Sequence, residues 1–226
     1  MITRNAGVRG GIYALICASC FLLGVVTLKW LAPDIYDFPD GRLRIIMEYG
    51  WWLHLWHFIV FPLLGLCVFL LNRVLTRQDR SKFEGLVILC TIVSFLTLSH
   101  DTTIFIIEIM SNELIIRQEF DSNYEQAQLT LEVYAILNKL RASTEWGIDL
   151  WICLISVLLF LRGRYHVLMH ALGFSVGVLG IVVLNDDFHH LSFVYLYAMI
   201  AWFFITGFAL LIEAKNRPKL HEGVYQ

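Results

Sequence analysis

Residues 50–72 read GWWLHLWHFIVFPLLGLCVFLLN, a stretch without a single Asp, Glu, Lys or Arg. A bilayer's hydrocarbon core, about 30 Å thick, takes about 20 residues of helix to cross. This stretch is long enough. Backbone groups in lipid must be satisfied within the segment, and the run lacks the in-out alternation of a barrel strand, so it reads as a membrane helix. Five further apolar blocks have comparable character, at roughly 11–31, 84–108, 146–162, 167–185 and 192–213. Composition agrees. Of 226 residues, 58% are hydrophobic and only 16% charged, against about 25% charged in soluble domains.

The expected fold is therefore all-α: one polytopic membrane domain over residues 1–226, with six transmembrane helices. Arg4 and Arg9 give the first block a basic start, as in a signal peptide. Its apolar run is too long for a signal core and no A-x-A site follows, so it reads as a retained helix.

Basic residues set the orientation. With the N-terminus inside, 11 of the 17 Lys and Arg fall in inner segments, Arg73, Arg77, Arg162 and Arg164 among them. The inner loops are short, where the positive-inside rule is strongest. Both termini are thus expected in the cytoplasm, with the protein multi-pass in a cell inner membrane. Of the 19 acids, 15 lie outside or in outer helix halves. The net charge of −2 gives no reason to expect nucleic-acid binding.

Two outer segments stand out. Residues 32–49 contain Pro33, Asp34, Asp37, Pro39, Asp40 and Gly41, a turn-rich composition. Residues 109–145 form the largest extramembrane piece. Within it Leu129, Val133, Ile136, Leu137 and Leu140 mark one face of an amphipathic helix between helices three and four, lying on the outer surface, capping the bundle or extending helix four.

The histidines of the opening stretch are its costly feature. His54 and His57 are three apart and share a helix face, roughly 6–12 Å below the outer end of their helix at 1.5 Å per residue. Trp52 and Trp56, four apart, form another stripe, expected at the interface. Other segments bring polar groups to the same level: His100 and Asp101 on the third helix, Glu145 and Asp149 on the fourth, and Asp186, Asp187, His189 and His190 after the fifth. Ionisable groups inside a membrane normally face the protein interior or a wet cavity. His54 and His57 are therefore expected to turn toward Asp101 and Asp149.

Several chemistries fit that layer. His54, His57, Asp101, Glu145 and Asp149 could hold a divalent transition metal such as Zn, Fe or Mn, although no H-E-x-x-H motif occurs. Haem b could sit between His57 and His100 on adjacent helices. The same carboxylates could serve a proton or small-molecule path. The competing explanation is interfacial anchoring by aromatic and histidine rings.

The five cysteines all fall in the apolar blocks and read as small packing residues. Gly173, Gly177 and Gly180, with Ala171 and Ser175, offer a small-residue surface on the fifth helix, for close packing within the chain or for a protein partner.

The segment STEWGIDLWICLISVLLFLRGRYHVLMHALGFSVGVLGIVVL, residues 143–184, with YAMIAWFFITGFALLI at 197–212, resembles the last three helices of a broad group of bacterial six-helix membrane proteins of unknown function. That group also has a long loop between helices three and four, a short basic turn between four and five, and a G-x-x-x-G-rich fifth helix. This chain departs from it in the turn, where Arg164-Tyr165-His166 stands in place of a usual proline. The resemblance implies architecture and a bacterial inner membrane, and carries no catalytic residue.

The sequence thus points to a binding or structural membrane subunit with a polar His/Asp/Glu cluster in its outer leaflet, in contact with membrane lipid. The alternatives are a metal-dependent membrane enzyme acting on a lipid or small molecule, and a b-type haem protein.

Overall fold

The computed structural model describes residues 3–33, 39–77, 82–117, 123–142 and 145–216. It is all-α, with no strand among the described residues. Helix α1 (Arg4–Val26) continues into a wider π-helical turn, Thr27–Leu31. Helix α2 (Pro39–Phe58) passes through a second π-helical turn, Ile59–Leu63, into α3 (Leu64–Thr76). Then come α4 (Glu84–Arg117), α5 (Asn123–Ala142), α6 (Glu145–Leu161), α7 (Val167–Val183) and α8 (Ser192–Lys215).

Four helical stretches are long and apolar enough to cross a membrane: Arg4–Leu31, Gly41–Thr76, Glu84–Ile116 and Ser192–Lys215. Helices α6 and α7 are as apolar but have 17 residues each, about 25 Å at 1.5 Å per residue. Unlike a soluble bundle, the helices also turn many large apolar side chains outward. On α4, Ser94, Thr97, Asp101, Glu108 and Asn112 are buried, whereas Ile92, Phe95, Leu96, Ile106 and Met110 face outward. This is the arrangement hydrocarbon surroundings favour.

Six helices close a ring. Along α1, α3, α4, α6, α7 and α8 each packs on the next, and α8 returns to α1. The core inside is built from Leu71, Leu75, Trp151, Ile155, Trp202, Phe203 and their neighbours. Trp151 lies edge-on to Trp202 at 6.0 Å and stacks on Phe203 at 6.5 Å. Glycines set the closest approaches. A Cβ on Gly11 of α1 would lie 2.6 Å from Leu211 and 3.0 Å from the Gly207 carbonyl of α8. Gly7 and Gly11 form a G-x-x-x-G pair, which lets two backbones meet closely in lipid. All five cysteines are buried among these helices as free thiols.

Two segments depart from expectation. The turn-rich stretch at 32–49 is helical from Pro39 onward. Proline suits the first turn of a helix, where its missing N–H leaves no bond unmade, so Pro39 starts a helix where composition read as a loop. The α2 rod bends at Tyr49, whose φ of −132° and ψ of 25° are non-helical. The third apolar block is also longer than expected, running to Arg117. Only α5 remains of the amphipathic stretch as a separate helix, packed against α2 and α4. Among its described side chains, Thr130 and Leu137 are buried, Leu129 and Val133 are partly covered, and Ile136 is 59% exposed. Leu140 lies outside the described side chains. The stripe thus turns by about one position from the expected face.

Candidate functional site: a buried ionic cluster

The largest concentration of buried charge lies between α2 and α4. Arg42 is one turn before Ile46, and both are 1% exposed. This shared face carries the Arg42 guanidinium onto α4. There its Nη2 donates to Glu108 Oε2 in a buried ion pair and to Asn112 Oδ1 at 3.0 Å. Glu108 and Asn112 are four apart, so they present one surface to Arg42. His57 approaches from the other end of α2, with its Nε2 3.6 Å from Glu108 Oε2. Its ring lies between Trp56, at 5.0 Å, and Phe61, at 5.8 Å. Arg42, His57, Glu108 and Asn112 are all at most 1% exposed.

Physically this is a brace. A buried carboxylate is costly unless a counter-charge and hydrogen bonds offset its lost hydration. Arg42 provides both, and the planar guanidinium shares one nitrogen between two acceptors on α4. The cluster fixes the first half of α2 against the C-terminal half of α4. Beside it, Ile46, Leu53 and Trp56 pack on Leu23 and Leu28 at the end of α1.

The residues singled out from sequence occupy distinct places. His57 is fully buried, and the carboxylate opposite it is Glu108. His54 is partly covered, with its Nε2 shielded from solvent and without a hydrogen-bond partner. Trp51 and Trp52 are exposed at 68% and 63%. Trp56 is buried instead, because its side of α2 leans on α1. His100 is partly covered on α4. It adjoins Asp101, so the two point about 100° apart around the helix.

Asp101 lies against α3: a Cβ on Gly65 would sit 2.8 Å from its Oδ2. Asp149 is held elsewhere, between α7 and α8. Tyr195 donates its hydroxyl to Asp149 Oδ1 at 2.7 Å, and a Cβ on Gly180 would lie 2.2–2.3 Å from the carboxylate atoms. The Glu145 side chain, like those of Asp186 and His189, lies outside the described ones. Among the described residues no group of three or more His, Cys, Asp and Glu is placed to hold a metal ion.

The glycine face of α7 is filled by α6. Cβ atoms on Gly173 and Gly177 would meet Ser156 Oγ at 2.2 Å and Cys153 Sγ at 2.4 Å. Deeper in the ring, Trp151 donates its indole N–H to Asn72 Oδ1 at 3.0 Å, and Asn72 donates to Thr91 Oγ1 at 3.2 Å. At the basic turn, His166 caps α7 by accepting from the Leu168 amide at 3.3 Å, and Arg164 pairs with Glu213 at 2.8 Å.

Sequence reasoning missed Arg42, Glu108, Asn112 and Tyr195. Glu108 could have been found, because it follows Asp101 by seven residues and so repeats the same face two turns on. No protein-family model, curated protein or solved structure matches this chain.

Proposed function

We propose that this chain is a non-catalytic subunit of a cell inner membrane, with six crossings and both termini in the cytoplasm. It serves as a binding or structural element, and the Arg42–Glu108–His57–Asn112 cluster organises its outer half. The observation that carries this reading is the burial of that cluster. Its four side chains are at most 1% exposed; Arg42 Nη2 joins Glu108 and Asn112, while Arg42 Nε and Nη1 and Asn112 Nδ2 are buried without a hydrogen-bond partner among the described residues. An enzyme's charged groups must meet a substrate, whereas these are closed off from the protein surface.

The 11-to-6 distribution of basic residues supports the orientation. The ring of six helices supports six crossings, with α6 and α7 at the lower end of the length that spans a thinned bilayer. On this reading α5 lies at the outer surface over α2 and α4.

The test is elemental analysis and an absorption spectrum of the purified full-length protein. The expected result is no stoichiometric transition metal and no Soret band. One metal or haem per chain, lost on substituting His57, would replace this reading with the metal-enzyme or b-type haem alternative.

A further inference from the structure

The strongest unexplained group is Asp101. It stands at the middle of the 34-residue α4, 2% exposed. Among the described residues it forms no ion pair, and its Oδ2 has no hydrogen-bond partner. The buried guanidinium of Arg42 is committed to Glu108. Glu108 lies seven residues further along α4, about 10 Å at 1.5 Å per residue, with Ile104, itself 1% exposed, between the two acids on that face. Asp101 is thus a carboxylate in an apolar layer without a visible counter-charge.

What faces it is the continuous α2–α3 rod at its π-helical turn. Gly65 lies in the first turn of α3, and a Cβ there would be 2.8 Å from Asp101 Oδ2 and 3.0 Å from Leu98 Cα. Without that Cβ, the carboxylate reaches the backbone of the partner rod. Immediately before it comes the π-helical turn Ile59–Leu63, which contains Pro62 and packs on α4. Proline has no N–H, so this turn has one donor fewer than it has carbonyl acceptors. A carbonyl without its amide is tolerated at membrane depth only where something else satisfies it. A carbonyl oxygen that lacks its helical donor, joined by a carboxylate, is the kind of oxygen donor that small alkali cations take.

We propose that Asp101 and the π-helical turn at Pro62 together form a binding site for a small monovalent cation, of the Na⁺ class. One positive charge neutralises one carboxylate, whereas a divalent ion would leave a net charge in hydrocarbon. Along the same face of α4, the buried Ser94 and Thr97 hydroxyls lead from Asp101 toward the inner side. This site does not depend on the reading of the Arg42 cluster.

The experiment uses purified full-length protein in detergent, with NaCl compared against choline chloride at equal ionic strength. A ligand that binds only the folded state raises stability with its concentration. The melting temperature should rise with NaCl and saturate, and Asp101→Asn should abolish the rise. Independently, carbodiimides attack a buried carboxyl in its protonated form. Modification mapped to Asp101 in the unaltered protein should slow about fivefold at a NaCl concentration about four times Kd. A melting shift that survives in Asp101→Asn, or no shift in the unaltered protein with Li⁺, Na⁺ or K⁺, overturns the proposal. Should Asp101→Asn fail to fold, the carbodiimide rate decides. Equal rates in the two salts, or no modification at Asp101, leave a proton as the only cation there and refute the site.

Discussion

Arg42 and Glu108 lie 66 residues apart in the chain and meet as a buried ion pair, at 1% and 0% exposure. Breaking such a pair from one side strands a charge in an apolar place, which costs about 3–5 kcal/mol. Removing both charges together strands nothing. Arg42→Met and Glu108→Gln should each lower the melting temperature of the detergent-purified protein sharply. The double substitution should lower it less than either single one. Additive losses would show that the two side chains do not stabilise one another.

Gly180 touches Asp149 so closely that any side chain must displace it. Gly180→Ala puts a methyl group 2.2–2.3 Å from the carboxylate atoms, and overpacking of this kind costs about 1–3 kcal/mol. The folded, monodisperse fraction in size-exclusion chromatography should fall. Adding Asp149→Ala should recover part of it by making room. No recovery would locate the strain elsewhere on α7.

Trp151 and Asn72 tie α6 to α3. Trp151→Phe keeps most of the ring and removes the indole N–H that Asn72 Oδ1 accepts at 3.0 Å. A buried acceptor left unmatched costs about 1–3 kcal/mol. Thermal unfolding should register that loss, and Asn72→Leu on the Trp151→Phe background should restore part of it. An unchanged melting temperature in Trp151→Phe would mean that the bond contributes nothing net.

The proposed orientation puts Ser81 inside and Ser122 outside. In intact cells an impermeant thiol reagent should label Ser122→Cys and spare Ser81→Cys, until the membrane is permeabilised. The native cysteines are buried and give little background. The reverse labelling pattern would invert the topology.

The apolar blocks were legible because hydrocarbon imposes a minimum run length, and that constraint is written locally. The inward turn of His57 was legible too, from the cost of placing an imidazole in lipid. Its partner was not. Glu108 sits where the third apolar block ended by composition, and Arg42 sits in a stretch whose Pro39, Asp40 and Gly41 serve equally well in a turn and in the first turn of a helix. A pairing across 66 residues leaves no trace in spacing. The α5 stripe was misplaced because periodicity finds an apolar face, while the neighbours α2 and α4 decide which part of it is covered. The glycines show the same limit. Those of α7 were noticed for their density, whereas Gly7 and Gly11, whose partner surface is contributed by α8, were not.

The closing contact of the ring has a consequence for synthesis at the ribosome. Helix α1 packs on α8, which is translated roughly 190 residues later. At about 5–20 residues per second, α1 waits roughly ten to forty seconds in the bilayer before its neighbour emerges. During that interval the Gly7–Gly11 groove stands open to any passing helix. On the proposed membrane reading, a nascent chain stalled before Ser192 would keep that groove uncovered, and α1 would lack the neighbour it packs on in the finished fold.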